Sequence, residues 1–203
     1  MPTNTSKSSP ITPVANNPLV SIIANKGMTI LELLISMAVV VILLGIAVPS
    51  FTSIIQNNRI KSASMELTRT LAISRNHAIT SGTTVIVCQA EDSSMETCSE
   101  QREANTNWQN GIISYADINA NNELDSQDYV ITVMQNTGKI AVVFNQRGRL
   151  RFFNDGSARS AGFYICNTVS HHQRHLRILY TGRVRTSDKI AEEQYQTCLN
   201  NAV

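Results

Sequence analysis

Residues 26–48 read Lys26-Gly27-Met28-Thr29-Ile30-Leu31-Glu32-Leu33-Leu34-Ile35-Ser36-Met37-Ala38-Val39-Val40-Val41-Ile42-Leu43-Leu44-Gly45-Ile46-Ala47-Val48. From Leu33 to Asn58 no side chain ionises, and Met28 to Val48 makes 21 residues. A helix needs ~20 mostly apolar residues to cross a hydrocarbon core. The one carboxylate, Glu32, would cost ~2.5–3.5 kcal/mol at the centre of a membrane, so a residue of this kind is usually paired or functional. The 27 residues ahead of the run are rich in Asn, Ser, Thr and Pro and contain no acid. In a secretory peptide the apolar core precedes the cleavage site; here it follows Lys26-Gly27.

That arrangement resembles the prepilin signal of type IV pilins and type II secretion pseudopilins. The resemblance implies that a prepilin peptidase cuts after Gly27, that residues 1–27 are a leader left in the cytoplasm, and that Met28 becomes an N-methylated terminus. Lys7 and Lys26 then lie on the side that the positive-inside rule prefers. Glu32 corresponds to the family's fifth mature residue, whose carboxylate pairs with the terminal amine of a neighbouring subunit during assembly. Such a pair is strongly favoured over a lone carboxylate in low dielectric. Gly45 and Pro49 correspond to its helix-bending positions. A plain single-span anchor with an incidental glutamate is the competing reading.

Beyond the span, Ile60, Ala63, Leu67, Leu71, Ser74 and Ala78 recur three and four residues apart, which predicts that the helix continues to about His77 and stops before Ser81-Gly82. From Thr83 the pattern changes to short β-branched runs: TTVIVCQ, GIISYAD, DYVITVM, KIAVVFN, LRFFN, GFYIC, RILYTG and VRT. Residues 145–148 and 154–156 read as hairpin turns. The expected fold is α+β and type IV pilin-like: a leader (1–27), a transmembrane half-helix (28–50), a periplasmic half-helix (51–81) and an antiparallel β-rich head (82–203).

All four cysteines, Cys88, Cys98, Cys166 and Cys198, follow the span. On the prepilin reading the head is periplasmic, where disulfides persist. Three pairings are possible; Cys88–Cys98 and Cys166–Cys198 are favoured, one closing an acidic loop and the other tying down the C-terminal tail. Zinc held by His171, His172 and His175 with Cys166 competes weakly, because the cysteine spacing does not fit paired knuckles.

The chain has 203 residues, 17 Lys plus Arg, 15 Asp plus Glu and a net charge of +2. That near-neutral total hides two opposed blocks. Glu91 to Asp128 holds nine acids and one base, a net of −8. Lys139 to Arg185 holds nine bases, eight of them Arg, and one acid, a net of +8. Loss of Lys7 and Lys26 with the leader would bring the side chains to 15 bases against 15 acids. Arg suits phosphate oxygens because its planar fork matches their geometry. Within the basic block, Gly148-Arg149-Leu150-Arg151 and Gly182-Arg183-Val184-Arg185 repeat a Gly-Arg-x-Arg pattern. On a strand, residues two apart share a face, so Arg183 and Arg185 project together while Val184 points inward. The Gly lets the backbone turn or approach a ligand.

Cys88 after the first strand, Trp108-Gln109-Asn110-Gly111-Ile112, Phe153-Asn154-Asp155-Gly156 before GFYIC, then Gly182-Arg183-Val184-Arg185 and Cys198, together resemble the GspH/FimT family of minor pilins and pseudopilins. In the FimT branch the C-terminal Gly-Arg-x-Arg motif carries DNA binding in natural transformation. The resemblance therefore implies a double-stranded DNA site at Gly182, Arg183 and Arg185. Arg174, Arg177 and Lys189 are added on charge, and Arg147, Arg149 and Arg151 are auxiliary candidates on charge alone. The competing reading makes these arginines solvated strand residues or partners of the acidic block. His171, His172 and His175 would add charge below about pH 6.5.

Asp117, Asn119, Asn121, Asp125 and Asp128 place oxygens as a calcium loop would, but the sixth place is Asn122 rather than Gly and strands flank it. No cofactor and no catalytic motif is read, so the chain is not expected to be an enzyme. Expected partners are double-stranded DNA, other pilin subunits, the inner membrane before assembly and the prepilin peptidase. The final location would be a type IV pilus at the cell surface. The alternative is a structural minor pilin or secretion pseudopilin that touches only proteins.

Overall fold

A computed structural model describes residues 27–136, 140–167, 172–188 and 191–200, apart from the side chains at 48–50. Residues 1–26 of the leader, Lys139, His171, Lys189 and the side chain of Pro49 lie outside the described residues. Backbone contacts divide the chain into two compact units, Met1–Leu44 and Gly45–Val203.

The first unit contributes the start of helix α1 (Ile30–Ser81). Thr29 Oγ1 accepts the Glu32 amide at 3.2 Å, which satisfies one of the free donors that begin any helix. Residues 28–47 are all exposed, and α1 is long and apolar enough to cross a membrane by length and composition. The Glu32 carboxylate has no ion pair or hydrogen bond among the described residues.

In the second unit α1 becomes amphipathic. Ile60, Ala63, Leu67, Leu71, Ser74 and Ala78, the stripe read from spacing, are buried. Full burial of a Leu such as Leu67 or Leu71 contributes ~1.5–3 kcal/mol. Ser74 is buried because its hydroxyl lies 2.6 Å from that of Ser114 and also donates to the Thr70 carbonyl. The helix runs one turn past His77 and ends where Gly82 takes φ +68°, its amide bonding back to the Ala78 carbonyl.

The strands are β1 (Thr84–Gln89), β2 (Thr106–Asn107), β3 (Ile112–Asp117), β4 (Tyr129–Met134), β5 (Ala141–Phe144), β6 (Leu150–Phe152), β7 (Ala161–Cys166), β8 (Gln173–Ile178) and β9 (Val184–Ser187). They form two antiparallel sheets, ordered β4-β3-β1-β6 and β2-β5-β7-β8-β9. The inner faces of both sheets meet the α1 stripe in one core, where Trp108, Phe144 and Phe163 have ring centroids 4.8–5.1 Å apart.

Residues 145–148 do not close a hairpin: β5 belongs to the second sheet and β6 to the first, so the segment is a crossover between sheets. The RILYTG run is strand only in Arg177 and Ile178, the end of a β8 that starts at Gln173, and Tyr180-Thr181-Gly182 form a turn. A short helix, α2 (Glu192–Asn200), was not expected. Its buried Tyr195 and Cys198 cover the outer face of the second sheet at Ala141, Val143 and Tyr164. Disulfides join Cys88 to Cys98 and Cys166 to Cys198. The second fastens α2 to β7, and the first sits in a small cluster with Ile113 and Tyr115 on the outer face of the first sheet.

Candidate nucleic-acid interface

The β8–β9 turn is held from three sides. The Leu179 amide donates to the Arg183 carbonyl at 2.9 Å, and the Gly182 amide donates to the Leu179 carbonyl at 2.8 Å. From α1, the Arg75 guanidinium donates through Nε to the Gly156 carbonyl at 3.0 Å and through Nη2 to the Thr181 carbonyl at 3.1 Å. Gly182 is buried with φ +73°, and a Cβ there would lie 2.0 Å from the Gly156 oxygen. This Gly therefore serves the turn and its packing. Its burial leaves the neighbouring arginines as the exposed part of the expected contact set.

What the turn presents is a basic ridge. Arg183 and Arg185 are exposed while Val184 packs partly against the core, as alternation requires. In the β8–β9 register Arg185 lies directly opposite Arg177, which is also exposed. Like charges placed opposite each other across strands repel and destabilise a sheet. None of the three has an ion pair or side-chain hydrogen bond among the described residues. Tyr180, 72% exposed, stands at the tip of the same turn.

Arg174 does not join them. It is three residues from Arg177, so it sits on the opposite face of β8, half-buried and ion-paired with Asp188. The histidines disperse as well. His172 Nε2 is 3.2 Å from the Ser53 hydroxyl on α1, whereas His175 stacks on Tyr164 at 4.8 Å. Burial, and then the Arg177 charge, lowers the pKa of His175 below its ordinary value. At a given mildly acidic pH it therefore carries less charge than an ordinary histidine.

Arg147, Arg149 and Arg151 lie elsewhere, in a cleft of about 650 Å³ that Arg102, Arg159 and residues 121–123 also line. Arg149 donates to the Asn122 carbonyl and, at 3.3 Å, to the Tyr115 hydroxyl. Burial pushes the Tyr115 phenol up to about 12, against the pull of the Arg149 charge. The two charged blocks are thus not segregated in space, since the first half of the basic one folds against the acidic loop.

In that loop the carboxylates serve their own backbone. Asp128 accepts the amides of Ile118 and Asp125 at 2.9 and 3.2 Å, Asp117 accepts that of Asn122 at 3.2 Å, and Asp125 accepts the side-chain amides of Asn119 and Asn121 at 2.8 and 2.7 Å. Among the described residues no three His, Cys, Asp or Glu side chains gather as a metal site.

The family model described as type II transport protein GspH matches residues 63–182, more than half of the chain. The chain belongs to the GspH family. As a GspH-family pilin or pseudopilin it assembles with other pilin subunits, and its apolar N-terminal helix is a membrane anchor. Two crystal structures of the Pseudomonas aeruginosa (strain PAO1) type IV minor pilin FimU, in space groups P65 and P21, are similar at 16% identity and a TM-score of 0.47. The first covers 63% of this chain and 91% of its own, the second 64% and 89%. No curated protein matches. The GspH match includes Arg75, Arg177 and the whole cleft but ends at Gly182, so Arg183 and Arg185 stand on their geometry alone.

Proposed function

We propose that this chain is a minor type IV pilin that binds double-stranded DNA without sequence preference and acts in DNA uptake during natural transformation. The observation that carries the reading is the ridge: Arg177, Arg183 and Arg185 are exposed, mutually repelling and unpaired among the described residues, on a hairpin fixed by Arg75. An arrangement that costs stability and awaits a polyanion fits phosphate recognition, which is sequence-independent and salt-sensitive. One head would hold DNA weakly, and several along a filament would hold it firmly.

In this reading prepilin peptidase cuts after Gly27, Met28 is methylated, and the Glu32 carboxylate, without a partner among the described residues, meets the terminal amine of the next subunit. The head then faces the periplasm until it is assembled into a pilus at the cell surface. Lys189 is a further contact on charge alone. The second reading, a structural pseudopilin of type II secretion, is favoured by the description of the matching family. A gel shift with the full-length protein in detergent and random-sequence duplex at low salt separates them: retarded DNA is expected for the first reading, and free DNA at every protein concentration supports the second.

A further inference from the structure

We infer that the arginine-lined cleft on the first sheet is a binding site for single-stranded DNA, distinct from the duplex ridge. Its volume of about 650 Å³ falls within the ~300–1,000 Å³ of ligand pockets. The bridge between Phe152 and Ala158 brings Arg151 and Arg159 side by side, one step along the pairing. Both are exposed, and like charges so placed repel unless an anion lies between them. Arg102 and Arg147 open onto the same space, and none of these four has an ion pair or side-chain hydrogen bond among the described residues. Arg149 differs, since its bonds to Asn122 and Tyr115 hold the wall of the cleft. The one carboxylate in the lining is Glu123.

The choice of ligand turns on Phe153. It follows Arg151 by two residues, lines the cleft and is 44% exposed. A basic groove with an accessible aromatic ring is the arrangement that holds single strands, with phosphates on the cations and a base stacked on the ring. In a duplex each base face is covered by its neighbours, so only an unpaired base can use Phe153. The ridge offers charge on an outer strand face, and it lies on the other sheet.

The test is fluorescence anisotropy with the full-length protein in detergent at low salt, using an oligothymidylate of about eight nucleotides, within the ~4–16 that such grooves cover. An abasic oligomer of the same length and a duplex are run beside it. Phe153→Ala, and separately Arg151→Ala with Arg159→Ala, should each weaken oligothymidylate binding at least about fivefold, with duplex binding unchanged. Phe153→Tyr should retain binding, and the abasic oligomer should bind wild type no better than oligothymidylate binds Phe153→Ala. Arg183→Ala with Arg185→Ala should leave oligothymidylate binding intact. Absence of duplex binding beside intact oligothymidylate binding removes the ridge and leaves the cleft standing. The inference is overturned by wild type that does not bind oligothymidylate, by equal binding of the abasic oligomer, or by cleft variants that lose both ligands alike.

Discussion

At Gly182 a methyl group would sit 2.0 Å from the Gly156 oxygen and 2.7 Å from the Arg75 Nε, on a backbone at φ +73°. The left-handed backbone alone costs a non-Gly residue ~1–2 kcal/mol. Gly182→Ala is therefore expected to lower the melting temperature by several degrees and to weaken DNA binding through the displaced turn; an unchanged melt would show that the turn relaxes freely. His175 makes a prediction of the opposite kind, read in pH. Its folded pKa is lowered by burial and by Arg177, so the unfolded chain takes up the proton first. The stability it supports is complete above about pH 6.5 and is lost as pH falls from there toward the lowered folded value. His175→Gln should lose less stability than wild type between about pH 7 and 5, measured by urea unfolding at each pH. Parallel pH profiles would contradict it.

Among elements, the long helix and most strands were legible because their signals are periodic. The α1 stripe repeats every three and four residues, and β1, β3, β5 and β7 are runs carrying β-branched or aromatic residues between turn residues. Helix α2 gave no such signal: its nine residues EEQYQTCLN bury only Tyr195 and Cys198. A helix shorter than ~12–15 residues is marginal by itself, so α2 depends on packing and on its disulfide. The pair Cys166–Cys198 closes 32 residues against 10 for Cys88–Cys98. Replacing Cys166 and Cys198 by Ser should destabilise the protein by about 1 kcal/mol more than replacing Cys88 and Cys98, from loop entropy alone. Denaturant melts of the two double variants decide it, and the reverse order would mean that strain or packing dominates. The site was legible in the same uneven way. Arg183 and Arg185 share a face by their spacing of two, but Arg177 joins them only through the β8–β9 register. Arg174 was added on charge, which does not show that its strand position turns it away from Arg177 and sets it beside Asp188.

At the scale of the whole molecule, the linear charge pattern overstated the polarity of the head. The −8 and +8 blocks follow one another in sequence, yet Arg149 bonds the Asn122 carbonyl and Glu123 lines the arginine cleft. Among the described residues folding leaves two sets of arginines without ion pairs, one on an outer face of the second sheet and the other around the cleft beside the first. The antiparallel pairing that creates Arg177 opposite Arg185 also lowers sheet stability, a cost that phosphate would relieve. The proposed contact of this ridge with DNA phosphates is read most directly by salt dependence. Duplex affinity of the full-length protein should be measured between about 50 and 200 mM salt, for wild type and for Arg183→Ala with Arg185→Ala. Each lost phosphate contact removes ~0.9 from the slope of log affinity against log salt, so the double variant should be shallower by about 1.8. An unchanged slope would contradict the assignment of the ridge as the duplex site.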